Sequence, residues 1–155
     1  MPRLLIGPVL RHVGTTDATV FVETDTPCEV DILGTRERTW TAAGHHYALV
    51  VIEGLPPGTS TPYEVLLDGS PVWPPPDSSR PPPRIRTQGG NAEVRLVFGS
   101  CRYGRAAVTQ GDRHFDVDAL VCYSRELAAQ DEATWPDGIL MLGDQVYADE
   151  TSEAT

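Results

Sequence analysis

A change of period near residue 90 restricts the fold more than any other feature of this chain. Over the first 88 residues, apolar and β-branched side chains come in short runs: Leu4–Leu10, Ala18–Glu23, Cys28–Leu33, Thr39–Ala42, Tyr47–Glu53, Tyr63–Leu67 and Ile85–Thr87. Strict alternation in Thr19-Val20-Phe21-Val22-Glu23 and Cys28-Glu29-Val30-Asp31-Ile32 marks strands with one buried face. Turn formers separate the runs, at Gly14-Thr15-Thr16-Asp17, Asp25-Thr26-Pro27, Pro56-Pro57-Gly58 and Asp68-Gly69. About seven short strands in so few residues predict a small β-sandwich over 1–88.

From Val94 the pattern becomes strand, helix, strand. Val94-Arg95-Leu96-Val97-Phe98 reads as a strand, residues 115–130 carry apolar positions at helical spacing with Asp116 as the expected N-cap, and Trp135-Pro136-Asp137-Gly138 breaks the chain before Ile139–Leu142. Such a unit pairs its strands in parallel through a right-handed crossover. Both strands are continuously apolar, so each expects cover on two faces, and two parallel strands make too small a sheet to stand alone. Residues 93–155 therefore read as the first, incomplete part of an α/β domain.

Two segments punctuate this plan. Residues 74–83 hold six prolines around Asp-Ser-Ser-Arg, which excludes helix and central strand and predicts a stiff, extended surface insertion before the last strand of the sandwich. It reads as a spacer, with a ligand for a proline-recognising partner as the alternative. Gln88-Gly89-Gly90-Asn91 reads as a linker.

Charge and cysteine content narrow the function classes. The formal net charge is −10 and all twelve basic residues are arginine, which argues against a nucleic-acid surface. No run approaches the roughly 20 apolar residues of a membrane span. Cys28, Cys101 and Cys122 form an odd set without repeated spacing, so no disulfide framework is implied. With neither a signal peptide nor a twin-arginine motif at the start, the expected location is the cytoplasm.

Chemistry concentrates after the two late strands. Gly99-Ser100-Cys101-Arg102 follows the first, and Gly143-Asp144-Gln145-Val146-Tyr147-Ala148-Asp149 follows the second. Neighbouring parallel strands end about 5 Å apart, so Cys101, Asp144 and Tyr147 can converge above the carboxyl edge of the sheet. A thiolate and a carboxylate admit zinc or iron, and a phenolate favours Fe³⁺. Arg102 and Arg105 stand beside that point as candidates for a substrate phosphate, against a solvated alternative. His45 and His46 are adjacent on a strand and face opposite ways, which disfavours a shared metal. Cys122 falls inside the helix and is expected in the core, and His114 is expected on the surface. Asp149 and Glu150 are open between a role behind the metal and the cap of a further helix.

Two resemblances attach to these residues. Val51-Ile52-Glu53-Gly54-Leu55-Pro56-Pro57-Gly58-Thr59 followed by Tyr63-Glu64-Val65 resembles a fibronectin type III linker. That likeness implies a leucine plugging the core and a tyrosine hydrogen-bonded back to the loop. Gly143–Asp149 is similar to the second metal motif of purple acid phosphatases, and Phe98-Gly99-Ser100-Cys101 resembles the signature of PhoD-like alkaline phosphatases. By that resemblance the chain is the amino-terminal portion of such an enzyme. An Ig/fibronectin III-like sandwich precedes the first βαβ unit of a metallophosphatase domain, with Cys101 and Tyr147 as iron ligands and Asp144 bridging to a second divalent metal such as calcium. It further implies phosphate-ester hydrolysis at a two-metal site, completed by ligands in the remainder of the catalytic domain, so the 155 residues are expected to be inactive alone. The rival reading is a non-catalytic sandwich serving as an interaction module.

Overall fold

The computed structural model describes residues 1–90, 93–102 and 118–145. The chain divides into two compact units, Met1–Ala92 and Glu93–Thr155.

The first unit is all β. Its strands are β1 (Leu4–Val13), β2 (Asp17–Thr24), β3 (Glu29–Ile32), β4 (Thr35–Arg38), β5 (Trp40–Ala42), β6 (His45–Glu53), β7 (Ser60–Pro62), β8 (Val65–Leu67), β9 (Ser70–Trp73) and β10 (Arg84–Arg86). They form two four-stranded sheets, β1-β2-β6-β5 and β4-β3-β8-β9, and a β10-β7 ribbon. Alternate residues of both sheets meet in one core: Ala18, Val20 and Val22 pair with Ile52, Val50 and Ala48, and Val30, Ile32, Val65 and Leu67 come from the other layer. A β-sandwich is the result, and its period-2 burial is what the alternating runs encode.

Three strands carry too little apolar pattern to announce themselves. β4 reads Thr-Arg-Glu-Arg and is largely exposed, β7 ends on a proline, and β9 is a short partner of β8. Of the run expected at Tyr63–Leu67 only Val65–Leu67 is strand, as β8, while β7 lies just ahead of it, and the final strand is Arg84–Arg86. The hairpins bringing β4, β6 and β9 to their partners turn on Leu33-Gly34, Ala43-Gly44 and Asp68-Gly69, with both residues of each pair at positive φ. Such two-residue turns match the strand twist. Aspartate before glycine is a recognised signal for them, whereas leucine and alanine are not.

The corner after β6 corrects one expectation. Leu55 and Tyr63 do pack into the core, but no hydrogen bond runs from the Tyr63 hydroxyl to the 54–59 loop among the described residues. Burial instead pushes the Tyr63 phenol up from its ordinary value. Thr87 closes the corner: its hydroxyl donates to the Pro56 carbonyl at 2.6 Å and accepts from the Thr59 amide at 3.0 Å. Thr87→Val should therefore cost about 1–3 kcal/mol, since it strands a half-buried acceptor and donor, and Tyr63→Phe less than about 0.5 kcal/mol. Urea unfolding of the two variants checks the contrast.

The proline-rich connection between β9 and β10 is mostly exposed but not uniformly extended. The Ser78 amide bonds the Pro75 carbonyl at 3.0 Å, closing a turn inside it.

In the second unit, β11 (Leu96–Gly99) and β12 (Gly138–Met141) pair in parallel, with α1 (Ala119–Ala129) between them in sequence. The N-cap is Asp118, whose carboxylate accepts from the amides of Leu120 and Val121. Asp116 lies outside the described residues. Cys122 is exposed rather than core. The half-buried residues Leu120, Tyr123 and Leu127 share one stripe of the helix, and Cys122 sits about 200° around from Leu120. No helix among the described residues is long and apolar enough to cross a membrane.

Candidate metal centre

Parallel pairing in register is what places the candidate ligands. Leu96, Val97, Phe98 and Gly99 lie opposite Gly138, Ile139, Leu140 and Met141. The ladder runs on past the strands, through Leu142 amide to Gly99 carbonyl at 2.9 Å and Cys101 amide to Gly143 carbonyl at 3.1 Å. The Gly143 carbonyl also accepts from the Ser100 hydroxyl at 3.3 Å and the Gln145 side-chain amide at 2.6 Å. Two loops are thereby tied together at the carboxyl edge of the sheet.

Backbone conformation then aims the side chains. Among the described residues, five non-glycines have positive φ: Leu33, Ala43, Asp68, Cys101 and Asp144. The first three open the hairpin turns described above, where that conformation is required. Cys101 (φ 58°) and Asp144 (φ 51°) lie in no such turn. Each left-handed non-glycine residue costs on the order of 1–3 kcal/mol, and residues so held cluster at functional sites. Here the two are neighbours, with Cys101 Sγ 3.5 Å from Asp144 Oδ2. Both are exposed to solvent.

The Cys101–Asp144 separation is that of a thiol–carboxylate hydrogen bond and is also compatible with two ligands of one cation. With metal–sulfur and metal–oxygen bonds of about 2.3 and 2.1 Å, two ligands on one tetrahedral ion stand about 3.6 Å apart. The observed separation matches one edge of such a polyhedron. Tyr147 and Arg105 lie outside the described residues, as do His114, Asp149 and Glu150. Among the described residues no cluster of three or more His, Cys, Asp or Glu side chains is present.

Arg102 ties two segments of this unit together. Its Nε donates to Asp118 Oδ2 at 3.0 Å, fastening the loop after Cys101 to the start of α1. Partial burial raises the Asp118 pKa, but bonds from the Leu120 amide, Arg102 and the Val121 amide outweigh it and hold the carboxyl below its ordinary value. A depressed carboxylate stabilises the folded form above the unfolded-state pKa, and that contribution disappears as pH falls through the folded value. Asp118→Asn should lower stability at pH 7, where the carboxylate's contribution is fully present, and its deficit from wild type in helical circular dichroism melts should close as pH falls through the folded value. An unchanged difference between the two curves would reject this role.

Sequence reasoning missed Ser100 and Gln145 because their part is played through a backbone carbonyl. It placed the cap two residues early because both Asp116 and Asp118 precede the apolar run. His45 and His46 do face opposite ways: His45 Nδ1 lies 2.6 Å from Glu23 Oε1, and His46 Nδ1 lies 2.9 Å from Thr41 Oγ1.

No curated protein and no solved structure matches the chain. Residues 1–85, more than half of its length, match the family described as a domain of unknown function, DUF7800. The chain belongs to that family.

Proposed function

We propose that this chain is the amino-terminal portion of a PhoD-like metallophosphoesterase, in which an Ig/fibronectin III-like sandwich precedes the first strand–helix–strand unit of the catalytic domain. The observation that carries the reading is the 3.5 Å approach of Cys101 Sγ and Asp144 Oδ2, each in a left-handed backbone that no turn requires. In this reading Cys101 and Tyr147 would be ligands to Fe³⁺, Asp144 would be a ligand shared with a second divalent cation, and the remaining ligands would come from the rest of the catalytic domain. When bound, the metal pair would supply a water of lowered pKa and positive charge for a phosphate ester. The chain's own contribution is positional. Gly143 locks the two loops, Ser100 and Gln145 brace that carbonyl, and Arg102 keeps the Cys101 loop against the helix start through Asp118. Arg102 and Arg105 are the candidates for contact with substrate phosphate.

Metal analysis and turnover of a chromogenic phosphodiester by the full-length protein test this. Stoichiometric iron with hydrolysis supports it, and a metal-free, inactive full-length protein rejects it. A second reading, a non-catalytic sandwich acting as a binding module, draws on the family match being confined to the sandwich. That same metal-free, inactive result would favour it.

A further inference from the structure

The Ser100 hydroxyl has one proton to give and two acceptors in reach. Its oxygen lies 3.3 Å from the Gly143 carbonyl and 3.4 Å from Cys101 Sγ. Adjacent residues of an extended strand face opposite ways. The left-handed backbone at Cys101 (φ 58°) ends that alternation, and the two side chains meet. A carbonyl oxygen has two lone pairs. On Gly143 amide donors already take both, the Cys101 backbone N–H at 3.1 Å and the Gln145 side chain at 2.6 Å. Ser100 is a third and longer donor there, and its bond to that carbonyl is the weakest of the three.

The sulfur is the better destination. A carboxylate only accepts, so the 3.5 Å contact with Asp144 Oδ2 uses the single proton of the Cys101 thiol. Toward Ser100 the sulfur is therefore the acceptor. As a metal ligand Cys101 gives up its proton, and hydrogen bonds to an ionised acceptor are roughly twice as strong as those to a neutral one. Among the described residues Ser100 is the only donor within hydrogen-bond reach of Sγ, so no second bond masks its removal.

We infer that Ser100 is a positioning residue of the metal centre, its hydroxyl turning from the Gly143 carbonyl to the Cys101 sulfur when the cation is bound and limiting how much charge that sulfur donates. The inference rests on the metallophosphoesterase reading above. A hydrogen bond to a ligating sulfur draws electron density away from the metal, which leaves the cation more of its charge. The sulfur is more negative when the iron is Fe²⁺, which takes less from its ligands, so the bond is stronger in the reduced form. Ser100 thereby raises the Fe³⁺/Fe²⁺ potential, and its loss lowers it.

Spectroelectrochemical titration of the full-length protein tests this, with wild type, Ser100→Ala and Ser100→Thr loaded to the same iron content. The visible absorption of Fe³⁺ is followed as the electrode supplies one electron per iron. In Ser100→Ala the preference for Fe³⁺ over Fe²⁺ should rise about tenfold, a fall of about 59 mV for a one-electron couple. Ser100→Thr keeps the hydroxyl and should restore the wild-type potential. An unchanged potential in Ser100→Ala overturns the inference. So does an equal fall in Ser100→Thr, which would trace the effect to packing. Wild-type protein that takes up no iron, or takes it up as well after Cys101→Ala, removes the metal reading and this inference with it. Iron that depends on Cys101, with a potential indifferent to Ser100, removes this inference alone.

Discussion

Cys101→Ala should lower iron affinity of the full-length protein at least about 100-fold and reduce phosphodiester hydrolysis in step. Loss of a group that merely orients a ligand already costs about 10–100-fold, and Cys101 is here proposed as a ligand itself. The substitution removes the sulfur 3.5 Å from Asp144 but leaves the backbone lock from the Cys101 amide to the Gly143 carbonyl. The folded scaffold should therefore persist. Alanine also tolerates the left-handed conformation no better than cysteine, so stability should change by less than about 1 kcal/mol. Cys122→Ala is the matched control, since that thiol is exposed on the helix and remote from the stripe that α1 shelters. Iron content by elemental analysis, with a thermal melt of each variant, separates lost ligation from lost folding. Undiminished iron in Cys101→Ala would remove the thiol from the centre and leave Asp144 without its proposed partner.

Ile85→Ala should destabilise the sandwich by about 3 kcal/mol, within the range for truncating a fully buried isoleucine. Ile85 is 0% exposed and is the one residue of β10 that enters the core. It is supplied by the strand that resumes after the ten-residue proline-rich connection, and is held by pairing with Thr61 on β7. For a unit of this size, that cost corresponds to a fall in melting temperature of about 12–24 °C. The neighbouring Arg84 and Arg86 alternate with it and stay outside the core, and Arg84 donates to the Ser60 carbonyl. A shift below about 4 °C would show that the ribbon packs loosely and that the two four-stranded sheets alone hold the unit. The proline-rich segment would then be an appendage rather than a bridge that returns the chain to the core.

Elements whose stability comes from burying one face were legible. Val20, Val22, Val50 and Ile52 alternate with polar or half-exposed neighbours in sequence and line the core in space. The edge strands β4 and β9 were not: β4 is held by backbone pairing to β3 rather than by apolar content, and β9 is a four-residue strand that brings only Val72 and Trp73 to the core. The hairpin at Leu33-Gly34 shows the limit clearly. Leucine carries no preference for positive φ, and only the pairing of β3 with β4 imposes it. The corner was read correctly as a place and wrongly as a bond: the threonine that closes it, Thr87, is 31 residues from its acceptor Pro56.

What the amino-acid sequence determined by itself is the division of labour along the chain. Alternating runs make a sandwich, a helical run between two apolar strands makes the second unit, and the chemistry-bearing residues follow strand ends. These are local facts, set by periodicity and by the short range of turn and capping preferences. Tertiary structure decided which groups meet. The 3.5 Å contact of Cys101 and Asp144 spans 43 residues and exists because parallel pairing puts two strand ends side by side and two left-handed residues turn their side chains together. The ring cluster of Phe21, Trp40 and Tyr47 likewise draws residues from three strands. No local preference encodes either assembly, because each arises only when distant segments are brought into register by the burial of the faces behind them.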